Sequence, residues 1–383
     1  MCLLHIHAAL RQKRGGGVRI LRNHILIEFL NPFFLCLGAL VFILLLGRGF
    51  VQMADLIFNK NVDIFLVFQL LFFSFPFLLV FVIPMSVLMA TLLAFGKLSS
   101  DNEITALRVS GIGLSKVMTP LFPVVIILCL FSYLLSDQVA SISHFACRRL
   151  MGQIGIESPA AALEEGTFIK KFKNFIIFIY EIDKNKLKGI RIYQPQEGRP
   201  TRTIIAQKGE LVSIPEKNVI KLRLIHGTSD EPDPRDPAKL YKLNFKTYDL
   251  PLNISGLKEN EELSKKPKDM STKELKNEID RLGDSGIKAT YPLSAEIHSK
   301  IAMSLSSLTL LLIGISLGIT TKRHDKSMSF GLGLTVIGIY WFLLIGGNGL
   351  AQKGIVHPFV AMQFANFIVG GAGLILLFKK VKN

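Results

Sequence analysis

Two groups of ionisable residues stand out from an otherwise apolar chain. Glu296, His298 and Lys300 bring a carboxylate, an imidazole and an ammonium together within five residues. His298 beside Glu296 is the one His–carboxylate pair at a membrane edge, a candidate acid–base pair. At helical i,i+4 spacing Glu296 and Lys300 could equally form a plain ion pair, worth about 0.2–0.5 kcal/mol on an exposed helix. The second group is Gly96–Lys116, GKLSSDNEITALRVSGIGLSK. Ser99 or Ser100 can cap a helix whose first turn carries Asp101 and Glu103, where acidic groups favour the positive helix end. Ile104, Leu107 and Gly111 fall at helical spacing, and Ser110, Gly111 and Gly113 end the helix. A short amphipathic helix of this kind is either a bland polar turn or a surface that docks into a soluble partner, and spacing alone leaves both open.

Motifs for energy-driven or hydrolytic chemistry are missing. A phosphate-binding loop needs G-x-x-x-x-G-K-[ST], but Gly96-Lys97 is followed by Leu98 and has Thr91 where the first glycine belongs. There is no HExxH and no GxSxG. The four cysteines, Cys2, Cys36, Cys129 and Cys147, show no CxxC spacing, which argues against a zinc site or a disulfide framework. No cofactor is expected. Any energy for work must come from a partner.

Apolar runs long enough to cross a bilayer, about 20 residues each, make this an integral membrane protein. Six spans are expected near 31–50, 64–95, 117–136, 301–320, 328–347 and 358–378. Pro76 and Pro84 offer break points in the second, which is longer than one crossing needs. Residues 1–18 read as a disordered tail, and the first apolar run as an uncleaved span. The net charge of +16 does not indicate nucleic acid: residues 137–288 hold 27 basic and 22 acidic residues, while the other 18 basic and 7 acidic residues gather at the ends of apolar runs. The positive-inside rule puts both termini in the cytoplasm and the large segment outside it. Glycines in the fifth span (Gly331, Gly333, Gly338, Gly346, Gly347) and the sixth (Gly370, Gly371, Gly373) let helices approach closely, within one chain or between subunits.

Between spans three and four the texture changes. Strands are expected at 168–182, 188–193, 203–206, 211–214, 219–225 and 241–248, with turns at Asn185, 195–198, 215–218 and 230–237. Repeated short strands without a helical pattern argue for an antiparallel sandwich or jelly roll. A helix follows at 271–282, opened by a capping box of Ser271 and Glu274. The fold class is thus a polytopic α-helical membrane protein with an inserted all-β domain. Its parts are a tail (1–18), spans one to three with a short helix at 99–113 (19–136), the β domain (137–296) and spans four to six (297–383).

Three features coincide in one family. LLAFGKLSSDNEITALRVSGIG after span two, AEIHSKIAMSLSSLTLLLIGISLGI opening span four, and the arrangement of three spans, an external β domain and three spans ending HPFVAMQFANFIVGGAGLILLF together resemble the LptF/LptG (YjgP/YjgQ) permeases of bacterial lipopolysaccharide export. The resemblance covers about Arg19 to Phe378. It implies a non-enzymatic inner-membrane subunit paired with a sister permease and driven by a cytoplasmic LptB-like ATPase dimer. Lipopolysaccharide would pass to LptC/LptA-like periplasmic bridge proteins through a jelly-roll domain. On that likeness Asp101, Glu103, Arg108 and Gly111 belong to the helix that couples to the ATPase, with Glu103 the main contact. Arg48, Lys300 and Glu296 are the expected substrate-binding residues, although Asp55 stands near a position where the family has an arginine. Gly96-Lys97-Leu98 and Gly346–Gly349 lean toward the LptF side. The rival readings are another lipid or lipoprotein cargo, or a membrane-embedded sensor or enzyme.

Overall fold

A computed structural model describes residues 2–59, 62–157, 166–172, 175–183, 186–196, 199–214, 219–232, 240–252, 265–282, 287–320 and 326–382. The first helix, α1 (Cys2–Leu44), is followed by π-helical turns at Leu45–Phe50 and Asp55–Asn59 that flank α2 (Val51–Ala54). Helix α3 (Ile64–Ser100) leads to the short α4 (Glu103–Val109) and α5 (Leu114–Met118). Helix α6 (Leu121–Leu134) passes through a π segment, Leu135–Ala140, into α7 (Ser141–Glu157). After the strands come α8 (Thr272–Leu282), α9 (Ile287–Thr320), α10 (Lys326–Gln352) and α11 (Pro358–Lys382).

Among the described residues, six helices are long and apolar enough to cross a membrane: Arg19–Gly47, Ile64–Ser100, Leu121–Gly152, Thr290–Thr320, Phe330–Gln352 and Pro358–Lys380. Helix α3 has 37 residues, about 55 Å at the helical rise, so it exceeds the hydrocarbon thickness of about 30 Å. It continues through Pro76 and Pro84 without a break.

The chain divides into two compact units. The helical unit comprises Met1–Leu45, Phe75–Ser143 and Pro267–Asn383. Its hub is α9, whose most apolar stretch is 78% buried against 17% for the first span. Glycine makes that burial possible where backbones meet. A Cβ on Gly373 would sit 2.8 Å from the Ile313 nitrogen, one on Gly318 would sit 2.8 Å from Phe95 Cβ, and one on Gly347 would overlap the Ala361 carbonyl oxygen. Gly331, Gly338, Gly346 and Gly371 face open space instead. The glycine-rich spans therefore serve tight packing within the chain at some positions and leave others uncovered. One buried amide links three helices: Asn366 accepts from Tyr340 (3.0 Å) and Thr309 (3.1 Å) and donates to the Ala302 carbonyl (3.0 Å). These bonds join α9, α10 and α11 where water cannot reach.

The second unit, Leu46–Ser74 with His144–Lys266, contains a six-stranded antiparallel sheet in chain order: β1 (Phe168–Phe172), β2 (Phe175–Asp183), β3 (Lys186–Gln196), β4 (Arg199–Ile214), β5 (Val219–Pro232) and β6 (Leu240–Leu252). The single strand expected over 168–182 is a hairpin, with Phe172 opposite Phe175. The two strands expected at 203–206 and 211–214 are one, because Gly209 fits between Ile190 and Leu222 without interrupting the ladder. The expected turns at Asn185 and 215–218 lie outside the described residues.

One open six-stranded sheet stands where the strand pattern led to a sandwich or jelly roll, and a crease explains how it buries a core. The ladder pairs skip Tyr180, Gly189, Gln207, His226 and Lys246, one residue on each of β2 to β6. Gly189 and His226 there have positive φ. On β4 the buried residues are Ile204 and Ala206 before the crease and Gly209 and Leu211 after it, so two successive residues point outward and the inward face changes parity. Each skipped residue stands opposite a skipped residue on the next strand, so the crease keeps the register while it turns the strands. The apolar cluster that results draws only on the sheet's own strands among the described residues. The sheet curls over its own apolar face.

Helix α8 belongs to the helical unit and Leu46–Ser74 to the unit with the sheet, a division different from the boundaries at 137 and 297 expected from sequence.

Candidate functional site: a two-faced helix and a buried clamp

The short helix α4 begins one residue after Asn102, which has φ of 59°. The expected cap at Ser99 or Ser100 is not used, because α3 runs on to Ser100 and the break comes at Asn102. Asparagine tolerates this left-handed turn better than most residues. At the other end the Ile112 amide donates to the Leu107 carbonyl and the Gly111 amide to that of Arg108, both at 2.9 Å. Gly111, with φ of 78°, thus closes the helix in a Schellman turn, which requires the left-handed conformation that glycine adopts freely. Seven residues cannot hold a helix in water unaided. Ile104 anchors it in a cluster with Ile25, Phe29, Phe95, Leu98 and Leu114.

Three polar contacts tie this region to its neighbours. Glu103 Oε2 meets His24 Nε2 at 3.0 Å, Lys97 Nζ meets Glu28 Oε1 at 2.7 Å, and Arg108 donates to the Lys380 carbonyl at 2.7 Å. Span one, the helix pair α3–α4 and the end of α11 therefore share one polar girdle. Asp101 accepts from Ser100 Oγ at 3.3 Å and is exposed. Val109 is 85% exposed, and Thr105, Ala106, Arg108 and Ser110 share that open surface. The helix is fixed by one buried face and presents the other.

The second constellation centres on Lys300, only 4% exposed. Its ammonium donates to Asp137 Oδ1 (3.2 Å), Ser141 Oγ (2.8 Å) and the Met270 carbonyl (2.6 Å). Three donors thus meet three acceptors. The same Asp137 oxygen accepts from the Thr272 amide and hydroxyl, each at 2.6 Å. Asp137 therefore acts as an N-terminal cap for α8 although it comes from the π segment after α6. Within α8 the expected capping box is formed, with the Ser271 amide donating to Glu274 Oε2 at 2.8 Å and the Glu274 amide to Ser271 Oγ at 3.3 Å.

Beside the clamp lies a cavity of about 220 Å³ lined by Lys268, Lys300, Glu296, Ser136 and Ser299, with Phe77, Phe81, Trp341 and Asn348 on its other sides. Of the expected substrate residues, Glu296 and Lys300 line this one cavity. The side chain of Arg48 lies outside the described residues. His298 stacks edge-on against Phe359, ring centroids 5.5 Å apart. Sequence reasoning missed Asp137, Ser141 and Thr272; the available signal was an acid placed directly after an apolar run. It also missed His24, whose role depends on a contact 79 residues away. Among the described residues no group of three His, Cys, Asp or Glu could hold a metal ion.

An uncharacterized protein of Rickettsia prowazekii, RP871, is 24% identical to this chain over 156 residues, covering 40% of this chain and 43% of that relative. The family model of the lipopolysaccharide export system permease LptF/LptG matches residues 23–379. Nearly the whole length is matched, and the chain, with its six apolar helices and inserted antiparallel sheet, belongs to the LptF/LptG permease family.

Proposed function

We propose that this chain is a non-enzymatic permease subunit of an ABC transporter that moves lipopolysaccharide out of the inner membrane. An LptB-like ATPase dimer would dock on the exposed face of α4 from the cytoplasm, and a sister permease would complete the pathway. The curled sheet would lie in the periplasm and receive the lipid for LptC/LptA-like bridge proteins. The observation that carries this reading is the two-faced α4. A helix too short to stand alone is anchored through Ile104 and bonded through Glu103 and Arg108 to the first and last spans. A force on its open face would reach both spans directly.

In this reading Glu103 and Asp101 meet cations of the ATPase, Arg108 keeps α4 joined to α11, and Gly111 ends the helix. Arg48, Glu296 and Lys300 serve the anionic lipid. Co-purification tests it: an ATPase and a second six-span permease should come down with the tagged chain from bacterial membranes. Recovery of the folded chain without an ATPase would refute it, and recovery with an ATPase but with lipoprotein as the bound cargo would shift the cargo.

A further inference from the structure

Resting on the proposal that the cargo is an anionic lipid, the geometry points to an anion-exchange latch: a phosphate-type group entering the cavity beside Lys300 replaces Asp137 on the ammonium and thereby uncaps α8. At about 220 Å³ the cavity is smaller than the roughly 300–1,000 Å³ of sites that enclose a whole ligand. It suits a headgroup substituent. Its wall includes Lys268, Lys300, Ser136, Ser299 and Asn348, all able to donate, against one carboxylate, Glu296. Oriented donors of this kind match a phosphate oxygen better than they match an acyl chain.

Lys300 is buried and already satisfied, so a second anion can bind it closely only by taking over an acceptor position. Exchange of one anion for another keeps the ammonium neutralised throughout, which simple withdrawal of Asp137 would not do. One oxygen of Asp137 serves both Lys300 and Thr272. Its movement therefore costs α8 two capping bonds together. Asp137 also lies in a π segment, a widened turn that recurs at working sites in helices. In the chain α8 lies between β6 and α9, so the latch reports occupancy of the cavity to the connection that follows the sheet.

Hydrogen exchange of the full chain in nanodiscs tests this, with bound lipid quantified in the same samples. Three preparations are needed: discs holding a bis-phosphorylated glycolipid, discs holding the same glycolipid without phosphates, and phosphate-free discs with added inorganic phosphate. The phosphorylated lipid should speed exchange of the Thr272–Leu275 amides by about tenfold, the loss expected for a bond to a charged acceptor. The dephosphorylated lipid should leave them unchanged. A response to inorganic phosphate as well would assign the cavity to phosphate from either source, and a response to it alone would keep the latch with free phosphate as its ligand. Lys300→Met should be unresponsive throughout, Lys300→Arg should retain the response, and Asp137→Asn should exchange fast in every preparation. Exchange over α11 should be unaltered in Lys300→Arg, which separates the latch from unfolding. Phosphorylated lipid that binds without changing α8 overturns the latch and leaves the transport reading intact. Absence of both lipid binding and any phosphate response overturns the two together.

Discussion

Replacing Glu103 with lysine separates docking from folding. The side chains of His24 and Glu103 are 44% and 39% exposed, and an ion pair so open to water contributes at most about 1 kcal/mol. Ile104, which anchors α4, is untouched. Thermal unfolding of the purified chain should therefore be nearly unchanged. At the interface the change removes a carboxylate and presents an ammonium to the partner's cations, a loss of about 2 kcal/mol or more. That is about 30-fold in affinity. Titration of labelled ATPase onto the permease pair in nanodiscs would measure it. His24→Ala is the control, since it deletes the same internal bond while leaving the carboxylate free to dock. A Glu103→Lys protein that binds the ATPase within threefold of the parent refutes the assigned role. Equal weakening by His24→Ala would show instead that Glu103 acts by holding span one.

Other outcomes follow from the packing. Gly347→Ala should destabilise the helical unit by about 1–3 kcal/mol, because the added methyl meets the Ala361 carbonyl. Gly346→Ala next to it, facing open space, should be neutral or stabilising by up to about 1 kcal/mol; equal effects on unfolding would contradict the packing described. Lys300→Met should cost about 3 kcal/mol by leaving Asp137 without its cation, and adding Asp137→Asn should recover most of that. Strictly additive losses in the unfolding of the two single variants and the double would show that the pair is not coupled. His226→Val should cost about 1–2 kcal/mol, since a β-branched residue resists φ of 52°, and limited proteolysis of the sheet in the full chain would register it.

Hydropathy and turn chemistry made much of the architecture legible. Each of the six spans is an apolar run with charged ends, and α8 carries a capping box readable from Ser271 and Glu274. The sheet was legible as strands but not as a curled surface. Its crease depends on His226 taking a left-handed conformation and on a coordinated parity change in neighbouring strands, neither of which leaves a local signature. The break before α4 was misplaced by two or three residues because Asn102 competes with the serines as a stop. Lys300 was legible as a substrate-binding candidate or an i,i+4 partner of Glu296, whereas its burial against Asp137 was not: Asp137 and Thr272 meet across 135 residues, and periodicity carries no information over that separation.

On the proposed reading α4 faces the cytoplasm and meets the ATPase there. With the four native cysteines replaced, a single cysteine at Val109, 85% exposed, should crosslink to the ATPase in intact membranes. It should also escape an impermeant maleimide added from outside. Labelling from the periplasmic side with no crosslink to the ATPase would contradict the account.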